Sequence, residues 1–343
     1  MMNRKFKERF NKLKKDCMWK ACFHKDENCS EKIIKAHSIQ NNRVLNKISE
    51  NGHVYMFDAH IDYNQGLVTK MKEEGRGKAT TFTGFCGYHD KKIFEPIEDY
   101  DFVPGNKEQE FLYAYRALAK EYHAKKTTTE MYRRMLEIIN SGNEEKIHSF
   151  FSLVSKQTPV TLVAIENMLN GSYIGSLDAE QRLEKYKQQF NSYLDNSNYS
   201  ELVTEVIVFQ KEYHLAVSSM IFIEKDLLGN TINDLSDFDT ALAPLFITIF
   251  PQNEKTYVLM SYLSRNRRRY KFIRKQILSL NENKVKSILS NIILKYVENF
   301  TVSPKKWREL EGGIENQLGR EYIDSAFRLN KELNTDSQLN IFL

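Results

Sequence analysis

Residues 84–90, GFCGYHD, are the stretch of sequence that decides the fold of the N-terminal region. Cys86 and His89 stand three positions apart, with one glycine before the cysteine and a second inside the turn. A tight turn of this shape aims two side chains at one point, as the metal-binding knuckles of zinc proteins do. The stretch therefore predicts a turn in which Cys86 and His89 bind the same ion.

A second pair of candidate ligands lies nearer the N-terminus, in residues 22–29, CFHKDENC. Tetrahedral zinc needs four soft or borderline ligands, and Cys22 and Cys29 complete a set with Cys86 and His89. Three of the four cysteines lie between positions 17 and 29, and this crowding favours metal binding over simple packing. We predict that these four residues hold a structural Zn²⁺ ion.

A competing ligand set lies within a single stretch of the chain. It consists of Cys17, Cys22, His24 and Cys29. This set leaves the glycine-flanked turn at residues 84–90 without a role. The first set is therefore preferred, and Cys17 is then a spare thiol.

Length and composition place the chain among ordinary globular proteins. It has 343 residues, enough for two or three domains, and is 41% hydrophobic and 28% charged. The basic N-terminus lacks the apolar segment of a secretion signal. The longest strongly apolar run, residues 241–250, is shorter than the roughly 20 residues of a membrane span. These features predict a cytoplasmic protein without a membrane partner.

Hydrophobic periodicity predicts helices and a few strands after residue 107. Helical spacing recurs around residues 111–122, 131–139, 162–169, 180–194, 267–280, 284–297 and 314–333. Residues 202–209 and 214–223 are rich in Val, Ile and Phe and predict one strand pair, and residues 245–250 and 256–263 predict another. We therefore expect a helix-rich region around a small antiparallel sheet.

Basic residues are concentrated in one predicted helix. The candidates for nucleic-acid binding are Arg265, Arg267, Arg268, Arg269 and Lys271. The net charge of +5 permits contact with phosphates but does not require it. A solvated helix face is the alternative interpretation of the same cluster.

A third motif, KAHSIQ at residues 35–40, lies between the two ligand pairs. With them it resembles the HNH, or ββα-metal, nucleases, which belong to the treble-clef zinc folds. In that group, a first knuckle leads into a strand with a general-base histidine, and a second knuckle opens a helix with a ligand for a catalytic metal. The resemblance implies that His37 is the base and that Asp90 binds Mg²⁺ or Mn²⁺. His53 is a further candidate for the same site.

The complete prediction is an α+β protein with two parts. Residues 1–104 form a treble-clef-like zinc module, and residues 105–343 form a helix-rich domain around a small antiparallel sheet. The resemblance implies metal-dependent hydrolysis of phosphodiester bonds in DNA or RNA, in a setting such as bacterial defence or mobile-element biology. The alternative is a non-catalytic, zinc-stabilised module that binds nucleic acid or a protein partner. The sequence also resembles bacterial proteins that join AHSIQ and GFCxxHD motifs to an α+β body.

Overall fold

A computed structural model describes residues 2–62, 66–150, 159–309, 319–320, 329–333 and 339–342, and within them the fold is mixed α+β with antiparallel sheets. The helices are α1 (Met2–Asp16), α2 (Asn46–Ile48), α3 (Gly87–Glu98), α4 (Lys107–Asn140), α5 (Glu144–Phe150), α6 (Pro159–Asp195), α7 (Arg267–Phe272), α8 (Glu282–Tyr296) and α9 (Pro304–Arg308). The strands are β1 (Ile33–His37), β2 (His53–Asp62), β3 (Gly66–Gly75), β4 (Thr81–Cys86), β5 (Leu202–Phe209), β6 (Leu215–Ile221), β7 (Leu245–Gln252), β8 (Lys255–Leu263) and β9 (Phe300–Val302). No helix in these ranges is long and apolar enough to cross a membrane.

Strands β1 and β4 form a small antiparallel sheet that leads directly into helix α3. Ile33 pairs with Cys86 and His37 pairs with Thr81, with an irregularity between Ile34 and Ala36. The last residue of β4, Cys86, is also the N-cap of α3, and its sulfur accepts a hydrogen bond from the backbone N–H of His89. The chain therefore builds a ββα unit around the GFCGYHD stretch.

The larger sheet has seven antiparallel strands in the order β3-β2-β9-β6-β7-β8-β5. Strands from both sides of residue 104 share it, because β2 pairs with β9 at Tyr55–Val302 and Met56–Thr301. The predicted β7–β8 pair is confirmed, and residues Asn253 and Glu254 take positive φ angles in its turn. Strand β3 and the short β9 were not predicted.

The predicted pairing of residues 202–209 with 214–223 is wrong. Strand β5 pairs with β8 at one edge of the sheet, whereas β6 lies between β9 and β7. The burial of the strands gives the physical reason: every residue of β6 is buried, but β5 is only partly buried. A strand covered on both faces belongs in the interior of a sheet, and a half-covered one can lie at its edge.

Two apolar layers cover the two faces of the seven-stranded sheet. On one face, the ring of Phe190 in α6 lies 5.5 Å from that of Phe111 in α4 and 5.2 Å from that of Phe246 in β7. The ββα unit packs into this same layer. On the other face, residues such as Ile249 pack with Leu289 of α8. The sheet is therefore the middle of three layers.

The predicted helices are longer or shorter than the sequence pattern suggested. Residues 107–140 form one helix of 34 residues, α4, where two were predicted, and α6 likewise spans two predicted helices. The predicted helix at 267–280 is α7 followed by a wider π-helical turn, Ile273–Ile277. The predicted last helix, residues 314–333, falls mostly outside the described residues, and residues 329–333 are not helical.

Candidate metal centre and adjacent site

The four predicted zinc ligands lie together in the fold. The ligand atoms of Cys22, Cys29, Cys86 and His89 are all within 4.8 Å of one another. Nδ1 of His89 lies 3.3 Å from Sγ of Cys22 and 3.4 Å from Sγ of Cys86. All four are buried except Cys29, which is half-buried. Three sulfurs and one imidazole nitrogen are a donor set that suits zinc, so the cluster can hold a metal ion such as zinc.

The competing ligand set is not assembled within the described residues. Cys17 is buried just after α1 and takes no part in the cluster. Its burial raises the pKa of its thiol. His24 does lie near the cluster, but Nε2 of its ring is 2.8 Å from Oδ1 of Asp195. Cys17 is therefore a packed thiol rather than a ligand.

Backbone hydrogen bonds join the two ligand loops. The N–H of Phe23 donates to the carbonyl of Gly84 at 2.7 Å, and the N–H of Cys86 donates to Sγ of Cys22 at 3.4 Å. Gly84 lies inside β4 rather than in a turn, and a Cβ there would come within 2.4 Å of the ring of Phe82. The position therefore requires glycine because the Phe82 ring packs against its backbone.

The cysteine sulfurs have different electrostatic environments. Burial raises the pKa of the Cys22 thiol to about 12. Burial also opposes ionisation of Cys86, but hydrogen bonds from Ser30 and from the N–H of His89 lower its pKa to about 6. Cys86 therefore ionises more readily than Cys22, and either thiol would lose its proton when a metal ion takes the proton's place.

One carboxylate lies behind each of two neighbouring histidines: Asp26 behind His89 and Asp195 behind His24. Oδ1 of Asp26 is 3.0 Å from Nε2 of His89, on the side of the ring away from the sulfurs. The His24 and His89 rings meet edge to face with centroids 4.9 Å apart. Asp26 is held by the backbone N–H of Asn28 at 2.8 Å. The Asp195 carboxylate, 2.8 Å from Nε2 of His24, is placed to orient that imidazole, as carboxylates do in metal sites.

His37 is the last residue of β1, and Asp90 lies near the start of α3. Nε2 of His37 is 3.1 Å from the backbone carbonyl of Arg76. A carbonyl only accepts hydrogen bonds, so Nε2 carries the proton and Nδ1 keeps its lone pair. Asp90 is in the first turn of α3; burial raises its pKa, while the charges of Arg116 and His37 lower it. The two predicted catalytic groups are therefore close enough to interact electrostatically.

Arg116 of α4 was not among the predicted site residues, and it is only 3% exposed. Its Nη2 lies 2.6 Å from Oε1 of Glu98, and its guanidinium lies 4.1 Å from the centre of the Phe94 ring. Its charge favours the ionised form of Asp90. The sequence could have singled out Arg116, because it is a single arginine inside an apolar helical run. A buried arginine nearly always has a partner, so the position indicates a buried ion pair.

The remaining predicted residues lie away from the cluster. His53 is exposed at the start of β2, and its Nδ1 is 2.9 Å from the carbonyl of Asn51. In the basic helix, Arg265 donates to Oε1 of Gln189 at 3.0 Å and Arg269 donates to the carbonyl of Ala241 at 2.8 Å. The exposed residues are Arg265, Arg267, Arg268 and Lys271, and Arg269 is half-buried.

Comparisons with known proteins do not place the chain in a family. No protein-family model, no curated protein and no solved structure matches it. The chemical interpretation of the centre therefore rests on the residues and on their geometry.

Proposed function

We propose that this chain is a metal-dependent phosphodiesterase of the HNH type that cleaves DNA or RNA. The single observation that carries the proposal is the ββα unit. In this unit His37 is the last residue of β1 and Asp90 lies in the first turn of α3, close enough for an electrostatic interaction, and burial raises the pKa of Asp90. Asp90 directly follows the predicted zinc ligand His89, so one short segment serves both sites.

His37 is suited to act as the general base. Its Nε2–H is held by the Arg76 carbonyl, which fixes the ring and leaves Nδ1 to accept a proton. In the proposed reaction, Nδ1 takes a proton from water, the water oxygen bonds to phosphorus, and the ester bond to the leaving oxygen breaks. A divalent ion held by Asp90 would supply charge stabilisation at the phosphate and at the leaving oxygen.

Asp90 must be ionised to hold such an ion, and the neighbouring groups change the pKa of its carboxyl group. Burial raises the pKa of Asp90 and the charge of Glu98 adds to this rise, whereas the charge of Arg116 favours the ionised carboxylate. Glu98 balances Arg116 through their ion pair, so the cation does not stand alone in the interior. Zinc on the cysteines would be structural, because four protein ligands leave no open position.

The test is a cleavage assay with substitutions at both residues and matched controls on the same elements. We expect His37→Ala to lower the cleavage rate by about 10²–10⁴-fold, the usual contribution of a general base. Asp90→Asn should raise the Mg²⁺ or Mn²⁺ concentration needed for activity. The controls are Lys35→Ala on β1 and Asp99→Asn after α3, which are both exposed. Full activity in both His37→Ala and Asp90→Asn would remove these roles.

A second candidate function is binding of nucleic acid through the basic helix. The observation that favours it is the exposure of Arg267, Arg268 and Lys271 on α7. If they contact phosphates, replacing all three by Ala should lower the slope of log affinity against log salt by about 2–3, roughly one for each lost contact. An unchanged slope would show that the cluster is only a solvated helix face.

A further inference from the structure

A second group of metal-ligating side chains lies on the far side of His89 from the cysteines. His24, Asp26 and His89 each offer a ligand atom within 4.8 Å of the other two. The loop between Cys22 and Cys29 supplies both new members of this group. His89 is the only residue that this group shares with the cysteine cluster within the described residues.

Two ring nitrogens of this group are buried without a hydrogen-bond partner among the described residues. They are Nδ1 of His24 and Nε2 of His89, in side chains whose residues are 8% and 2% exposed. Oδ1 of Asp26 is 3.0 Å from Nε2 of His89, yet the two do not align as a hydrogen bond. Burial of polar nitrogens without partners is unfavourable, so the arrangement points to a ligand that satisfies both.

The contacts around His24 leave its Nδ1 free to bind a metal ion. Its Nε2 meets Oδ1 of Asp195 at 2.8 Å, and this carboxylate fixes the proton on Nε2. Nδ1 then carries the lone pair, as in the histidine ligands that a carboxylate orients from behind in metal sites. His89 has the opposite arrangement, because its Nδ1 faces the sulfurs of Cys22 and Cys86.

We propose that His89 bridges two zinc ions. Its Nδ1 binds the ion of the cysteine cluster, and its Nε2 binds a second ion together with Asp26 and a ring nitrogen of His24. The second ion replaces the Nε2 proton of His89, which leaves to solvent. The inference rests on zinc at the cysteine cluster and does not require nuclease activity.

The second site would be open, unlike the first. It has three protein ligands, two nitrogens and a carboxylate, and zinc with three such ligands keeps a fourth position for water or another small ligand. The side chain of Asp26 is 38% exposed, so an ion can reach the site from solvent. The second ion is therefore expected to bind more weakly and to exchange faster than the first.

The experiment is a count of zinc ions per full-length chain, after dialysis against a small excess of free zinc without Mg²⁺. We expect two ions in the wild type and one in Asp26→Asn. Asp90→Asn should keep two, which separates this site from a metal at the proposed active site. A Co²⁺ titration adds a spectroscopic test: thiolate-to-metal absorption should saturate at one equivalent, and d–d absorption should continue to two.

The zinc counts show which of the two proposed sites binds an ion. One ion in the wild type, unchanged in Asp26→Asn, overturns the second site and leaves the cysteine cluster in place. No ion in the wild type overturns both. If Asp26→Asn unfolds, His24→Asn takes its place, with circular dichroism as the check on folding and the same expected loss of one ion.

Discussion

The ββα unit and the seven-stranded sheet share an apolar layer, but only the unit also carries a cluster of candidate metal ligands. The unit has two short strands, β1 and β4, and its ligand loops converge on the four metal-binding side chains. The sheet has seven strands whose central members are buried on both faces under apolar helices. We therefore propose that the ββα unit needs a bound metal ion for its stability, whereas the sheet is stabilised by removal of apolar surface from water. Removal of the metal should therefore unfold the ββα unit and leave the seven-stranded sheet folded.

Replacement of a zinc ligand should give the largest effect. Cys86→Ser removes a fully buried sulfur that also caps α3. Structural zinc contributes about 10–16 kcal/mol in small zinc domains, so the variant should lose its metal and expose residues 17–37 and 81–98 to protease, whereas β2 and β3 should stay protected in the larger sheet. Metal analysis and limited proteolysis would measure this.

Cys17→Ser is the matched control for that substitution. Cys17 is equally buried but lies outside the ligand cluster, so this variant should keep its zinc. Unchanged metal content in Cys86→Ser would show that the ligand set is wrong. Loss of the sheet at the same chelator concentration as the ββα unit would contradict the proposed difference between the two regions.

Truncation of a core aromatic in the sheet should have the next largest effect. Phe246 is 1% exposed and packs on Phe190. Phe246→Ala should lower the free energy of unfolding by about 3–5 kcal/mol through lost burial and a cavity, with zinc content unchanged. Phe238 is 62% exposed, so Phe238→Ala is the control, and urea unfolding measures both. Equal free energies of unfolding for the two variants would contradict the packing of Phe246 in the apolar core.

A titratable group between the two regions should give a smaller, pH-dependent effect. Glu121 of α4 lines a cavity of about 370 Å³ that Thr81 of β4 and Ser218 of β6 also line. Burial raises the pKa of Glu121 to about 7, and the nearby Glu298 adds to this. The folded state therefore binds the Glu121 proton more tightly than the unfolded chain does. This stabilisation is complete below about pH 4.5 and is lost as the pH rises through 7.

Glu121→Gln cannot lose a proton and should remove this pH dependence. Relative to the wild type, its free energy of unfolding should rise by about 1–3 kcal/mol between pH 5 and pH 8. Urea unfolding of both proteins at the two pH values measures the change. Parallel pH profiles would mean that Glu121 is already ionised in the folded state.

Local motifs predicted the metal cluster well because the chemistry of zinc restricts its ligands. Two short segments supplied Cys22, Cys29, Cys86 and His89, and the fold brings their ligand atoms together. The β7–β8 pair was also predictable, because its turn is short. In both cases the decisive information lies within a few residues of sequence.

The rest of the fold depends on contacts between distant residues. Nothing near Phe300–Val302 shows that these residues join β2 to β6 in one sheet. The break expected within residues 107–140 is absent for a local reason. The hydroxyls of Thr127 and Thr129 donate to the carbonyls of residues 123 and 125, and so they are accommodated inside α4.

The central proposal is that His37 and Asp90 form one catalytic site beside the metal cluster. The most direct test is cleavage of DNA and RNA by wild type and His37→Ala side by side, with Mg²⁺ or Mn²⁺ and with zinc content measured in both. The account predicts cleavage by the wild type and a loss of about 10²–10⁴-fold in the variant at equal zinc content. Equal cleavage by both proteins, or none by a fully zinc-loaded wild type, would contradict it.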